Sequence, residues 1–147
     1  MYYLDIKYSK DIKDKFKKLK IDIKKFENFL LMILNNHKVS RKDWVFELKV
    51  KGIKSLGSSY YFGHNEMEVG MHCSSRKKKD RRSYFIQSFL HEFRHFVQDN
   101  LDRVSGNKLD YTDKDIQAVN EKYWDNKYEV EAREWEKYAE SFLLLLD

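Results

Sequence analysis

His91-Glu92-Phe93-Arg94-His95 stands out as the stretch whose residue types and spacing could do chemistry. Two imidazoles four residues apart leave one face of a helix at neighbouring positions, so both can reach a single ion at about 2.0–2.1 Å, the zinc–imidazole distance. The intervening glutamate lies about 100° round the helix from His91, beside the pair, where its carboxylate can take a proton from a water held by such an ion. This H-E-x-x-H arrangement therefore predicts a Zn2+ site with His91 and His95 as ligands and Glu92 as general base. Chance is the competing explanation. With five histidines in 147 residues, shuffling yields the motif in about one chain in eighty, and in fewer would it sit in mid-helix. Unpartnered, these three side chains would also be costly to bury.

A catalytic zinc takes three protein ligands and keeps a fourth position open. The pattern H-E-x-x-H-x-x-G-x-x-H is excluded, because position 98 is Gln and position 101 is Leu. The third ligand must then be a carboxylate or an upstream histidine. The richest acidic cluster downstream is Tyr128-Glu129-Val130-Glu131-Ala132-Arg133-Glu134. Glu129 and Ala132 form an E-x-x-A pair one turn apart, in which the small alanine lets two helices approach where the glutamate crosses over. Glu129 is the first choice, with Glu131 and Glu134 as alternatives, since sequence does not fix helix register. His64 and His72 read as surface or cross-strand residues, and His37 as a helix-end residue. Cys73 and His72 are no nucleophile pair, because adjacent strand residues face opposite sides.

These side chains need elements to hold them. Phe85, Ile86, Phe89, Leu90, Phe93, Phe96 and Val97 give the motif's helix a broad apolar face, which predicts a central, buried helix with Ser83 as its N-cap. A final helix over Lys127–Leu146 has its apolar stripe at Ala132, Trp135, Ala139, Phe142, Leu143 and Leu146. Between them, Leu101 to Asp113 reads as a loop and Asp115 to Trp124 as a short helix. Upstream, Ile12, Phe16, Leu19, Ile23, Phe26, Leu30 and Ile33 predict one amphipathic helix from Asp11 to about Asn36, its lysines forming the solvated face. Alternation at Trp44–Lys51 predicts a strand, with others near Ser58–Phe62 and Glu66–His72, and with turns at Gly52 and Gly57. The expected fold class is α+β, a single domain over 1–147: N-terminal helix, a small antiparallel or mixed sheet of hairpin strands, the central motif helix and a C-terminal glutamate helix.

Composition bounds the rest. Aromatic residues make up 16% of the chain, enough for a packed interior, and proline is absent, so no linker stands out. The single cysteine suits a reducing cytoplasm and leaves any metal to histidines and carboxylates. The apolar run Phe142–Leu146, like every other in the chain, is far short of the ~20 residues that span a membrane, so a soluble protein is expected. A net charge of +5 arises largely from Lys10–Lys25 and from Arg76–Arg82. The second run reads as a solvated loop, or else as a contact for an acidic partner or nucleic acid near the site.

Through His91–His95 and Glu129–Ala132, and through the order strand, motif helix, glutamate helix over about Tyr60–Asp147, the chain resembles the gluzincins. Within them it is similar to the small minigluzincin-like and phage- or virus-encoded proteins. The resemblance implies a zincin-like fold and a zinc metallopeptidase whose edge strand aligns an extended peptide or protein substrate. It also implies that zinc acidifies a water and polarises the scissile carbonyl, while Glu92 moves the proton to the leaving amine. An oxyanion donor would come from Tyr128, the first choice, or from Tyr123, Tyr111 or His72. A reading from another class is a non-catalytic zinc-containing module whose basic surface docks nucleic acid or an acidic protein. Glu92 speaks against it, because a structural zinc needs neither a base nor an open position.

Overall fold

The computed structural model describes residues 1–37, 43–55, 57–72, 78–102 and 127–146, and it opens on a strand where the sequence reading began with a helix. In β1, Tyr2–Tyr8, the residues Tyr2, Leu4, Ile6 and Tyr8 turn inward while Tyr3, Asp5 and Lys7 turn out, a period-two pattern ahead of the lysine-rich stretch. The single helix expected from Asp11 to Asn36 is two: α1, Lys10–Lys18, and α2, Ile23–Asn36. Lys20 takes a left-handed φ of 56°. The Ile21 amide then donates to Phe16 O at 2.9 Å and the Lys20 amide to Lys17 O at 3.1 Å, the paired bonds of a Schellman stop. Asp22 restarts the helix by accepting from the Lys25 amide at 2.9 Å. Leu19 and Ile21 are both buried, so the apolar rhythm runs straight across the break and hides it.

The two helices α1 and α2 supply the long connection that parallel strands require. β2, Trp44–Ile53, accordingly lies parallel to β1, Tyr2 opposite Trp44. β3, Ser59–Tyr61, and β4, Glu66–Gly70, form the one antiparallel pair among the described residues, and β4 runs parallel to β2. The sheet is mixed, in the order β1-β2-β4-β3. The expectation of hairpin strands throughout is corrected: the short β3 forms the edge and returns the chain to pair β4 beside β2. The third strand ends at Gly70 instead of reaching His72. Gly52 is no turn but part of β2, where a Cβ would come within 2.6 Å of the Asp11 carboxylate and 2.8 Å of the Met71 sulfur.

The motif helix α3 spans Lys78–Val97. Ser83 lies inside it, not at its N-cap, and its hydroxyl accepts from the Gln87 amide at 3.2 Å. Lys78 to Arg82 are thus helical, not loop; Arg76, Lys77 and Cys73 lie outside the described residues. A π-helical turn, Gln98–Asp102, follows, and the expected short helix at Asp115–Trp124 falls outside the described residues. The single C-terminal helix is also two, α4, Lys127–Trp135, and α5, Tyr138–Leu146, parted at Glu136 and Lys137 by i→i+3 bonds such as Glu136 N to Arg133 O at 3.2 Å.

Phe46, Leu48, Val50, Met67 and Val69 cover one sheet face, and the helices bury it in a two-layer α+β arrangement. Phe26 is central to that core: its ring meets Phe89 at 4.8 Å, Phe142 at 5.0 Å and Phe16 at 5.6 Å. This aromatic contact holds α3 from the side away from its histidines. The other sheet face is charged, with Lys51 paired to Glu66. Among the described residues no helix is long and apolar enough to cross a membrane.

Lys20 is exposed, so a substitution there tests the break between α1 and α2 directly. A non-glycine residue in the left-handed region is disfavoured, and Lys20→Gly should raise the unfolding free energy by roughly 1 kcal/mol. Urea denaturation reads the gain; a lower midpoint would mean that position 20 is right-handed and the helix continuous.

Candidate metal centre

The apolar face of α3 fixes its rotation in the core, and that rotation turns His91 and His95 together toward α4. Their rings lie 5.1 Å apart. From α4, the Glu129 carboxylate reaches both: Oε2 is 2.8 Å from His91 Nε2, and Oε1 is 2.9 Å from His95 Nε2. One ligand atom from each of the three residues lies within 4.8 Å of the others. Ala132, fully buried one turn on, is the small residue that the close helix approach calls for. Two imidazole nitrogens and one carboxylate are a donor set suited to zinc.

The three carboxylates left open by sequence part company here. Glu131 turns to Arg94, at 2.9 Å, and to the Gln98 amide, at 2.8 Å. Glu134 is exposed. Only Glu129 of the three joins the histidines.

The far nitrogens of both imidazoles also have neighbours. His95 Nδ1 lies 2.8 Å from Gln98 Oε1, and His91 Nδ1 lies 3.7 Å from Glu136 Oε2. Glu136 follows Glu129 by seven residues, about two helical turns along the same face. Neither Gln98 nor Glu136 was singled out from sequence; the available signal was an amide three residues after His95, on the same helical face.

Electrostatics follow from burial and proximity. Burial disfavours a charged His91, yet hydrogen bonds to Glu129 and Glu136 outweigh it and lift the imidazole to about 10. Burial likewise disfavours an ionised Glu129, but the two imidazoles hold its carboxyl far below the usual carboxylate range. Glu92 is only 5% exposed. Burial raises its carboxyl to about 7, although His95 and His91 pull the other way. A carboxyl so tuned can hold or release a proton near neutrality.

Among the described residues, no further histidine or acidic side chain belongs to the triad's cluster. Tyr128 is buried beside Glu129, and its main-chain carbonyl accepts from the Gln98 amide at 3.1 Å. His72 and His64 are exposed, and His37 caps the end of α2 with its ring 6.0 Å from Trp135. Tyr111 and Tyr123 lie outside the described residues. Of the basic run, Arg81 and Arg82 are half-buried in α3 and not a freely solvated loop.

The sheet reaches the site through its β3–β4 turn. Asp99, in the π-helical turn after α3, accepts from Tyr60 Oη at 2.8 Å and from the Gly63 amide at 2.7 Å. Asn100 donates to Asn65 Oδ1 at 2.9 Å. The latch sets the Phe62 ring edge-on to His95, 5.6 Å between centroids. No family model, curated protein or solved structure matches this chain.

Below its raised pKa, His91 holds a proton that a cation must displace, so zinc uptake should release about one proton per ion at pH 8. Raising the pH toward 10 removes that competitor, and apparent affinity should climb by up to roughly tenfold per pH unit on the way. Isothermal titration in buffers of differing ionisation enthalpy counts the protons. A count of zero would show that His91 is already neutral against Glu129, contrary to this geometry.

Proposed function

We propose that this chain is a zinc-dependent peptidase of the gluzincin kind, with a zincin-like arrangement of motif helix and glutamate helix. The observation that supports it most is the convergence of His91 Nε2, His95 Nε2 and the Glu129 carboxylate, with the buried Glu92 carboxyl beside them. His91, His95 and Glu129 would hold the ion. Zinc bound there supplies Lewis acidity toward a water and a scissile carbonyl.

The remaining work falls to the chain's own groups. Glu92 accepts the proton of the attacking water and delivers it to the leaving amine, a role for which a carboxyl near 7 is well placed. An extended peptide fits the outer edge of β3, an edge strand whose following residue, Phe62, faces His95. Main-chain pairing along such an edge holds a peptide whatever its side chains. Tyr128 is the proposed oxyanion donor from the glutamate helix. A single cysteine suits action in a reducing cytoplasm.

A zinc module without catalysis would leave Glu92 buried beside the ligands with nothing to do, at a cost in stability. Zinc content and cleavage of casein or a peptide library by the parent, Glu92→Gln and His95→Ala discriminate the two. Glu92→Gln should keep one zinc per chain and lose about 10²–10⁴-fold in rate, whereas His95→Ala should lose the metal as well. Full cleavage by Glu92→Gln would remove the glutamate from the mechanism. Zinc binding by a parent that cleaves nothing yet retains DNA would favour the module.

A further inference from the structure

Gln98 is fully buried, at 0% exposure, and an amide in that position must find partners for each of its polar hydrogens. Its Nε2 lies 3.1 Å from the Tyr128 carbonyl and 2.8 Å from Glu131 Oε2, two groups that only accept. Those contacts fix which way the amide faces, because a flipped side chain would set its oxygen against both. Oε1 is therefore the atom 2.8 Å from His95 Nδ1, and since an amide oxygen only accepts, Nδ1 is the donor. The nitrogen left for a cation is Nε2, the one facing Glu129.

We propose that Gln98 is a positioning residue of the metal centre, which sets the His95 tautomer with its oxygen and ties α4, the helix of the carboxylate ligand, to α3 with its nitrogen. The inference rests on reading His91, His95 and Glu129 as zinc ligands. Both halves of the amide act on the same geometry. The oxygen orients one imidazole ligand, and the nitrogen grips the residue before Glu129 and the residue two after it. Arg94 strengthens the second contact by pairing with the same Glu131 oxygen at 2.9 Å, while its guanidinium lies 5.0 Å from the Trp135 ring centroid. The helix register that places Glu129 against the histidines is thus held on its other side by Gln98 and Arg94. Partners of a ligand's far nitrogen are commonly worth about 10- to 100-fold in metal affinity.

The test measures zinc affinity by competition with a chromophoric chelator for the parent and Gln98→Met, which keeps the length of the side chain and removes its hydrogen bonds. The expected result is a Kd about 10- to 100-fold weaker for Gln98→Met, with a metal-free far-UV spectrum like the parent's. Should Gln98→Met fail to fold, a long-range 1H–15N spectrum of the zinc-loaded parent answers the same question. It should show His95 protonated at Nδ1, with that proton protected from exchange, and coordinating through Nε2. Equal affinity in a folded Gln98→Met, or coordination through Nδ1, overturns the role of Gln98 and leaves the zinc reading standing. A parent that takes up no zinc at micromolar concentrations overturns both.

Discussion

The Glu129 carboxylate shared between two imidazoles is the constraint on which the site depends. Removing charge from water is costly, and the cost is offset only where opposite charges and hydrogen bonds meet it at close range. Here one carboxylate satisfies two nitrogens, at 2.8 and 2.9 Å, across the seam between α3 and α4. Neither helix could slide by a turn without leaving buried ionisable groups unpaired. Arg94 with Glu131, and Gln98 with the Tyr128 carbonyl, add further contacts across the same seam, so the register is specified more than once.

That seam works only if α3 itself is held still. On one side it is fixed by aromatic rings, with Phe89 against Phe26 and Phe96 against Phe46 from the sheet. At its end the π-helical turn swings Asp99 into the β3–β4 turn, where it binds Tyr60 and the Gly63 amide. Gly63 adopts a φ of 84°, a conformation that side-chain-bearing residues resist, and this lets its amide face the carboxylate. Sheet, motif helix and glutamate helix thereby share one frame, and His95 sits where the three meet.

Sequence was informative wherever a local pattern carried the physics. The spacing of His91 and His95 places them on one face whatever the tertiary fold, and the E-x-x-A pair pointed to Glu129 because close helix approach needs a small residue such as Ala132. The central helix and the alternation in β2 were legible for the same reason. What stayed hidden depended on partners distant in sequence or on single backbone angles. The parallel pairing of β1 with β2 depends on the crossover through α1 and α2, which no local periodicity records. The stop at Lys20 rests on one left-handed residue flanked by Leu19 and Ile21, whose burial keeps the helical rhythm unbroken. Gln98 read only as the residue that ruled out a third-histidine pattern; its role appears once α4 lies beside it.

The placement of the ionisable groups bears on what a cation would be for. Domains that need a metal to fold generally lack a sufficient core. This chain has one: Phe16, Phe26, Phe85, Phe89, Phe93, Phe96 and Phe142 are all buried, and α3 passes through the middle of them. Replacing buried ion pairs by apolar side chains of similar size is often neutral or stabilising, so stability is a weak reason for a helix this apolar to carry His91, Glu92 and His95. Glu92 sharpens the point. It stands beside a carboxylate-bridged pair of imidazoles, largely out of solvent and with its carboxyl raised toward neutrality. A group held that way contributes little to folding at pH 7, and its placement fits the proposed proton transfer better than a structural role.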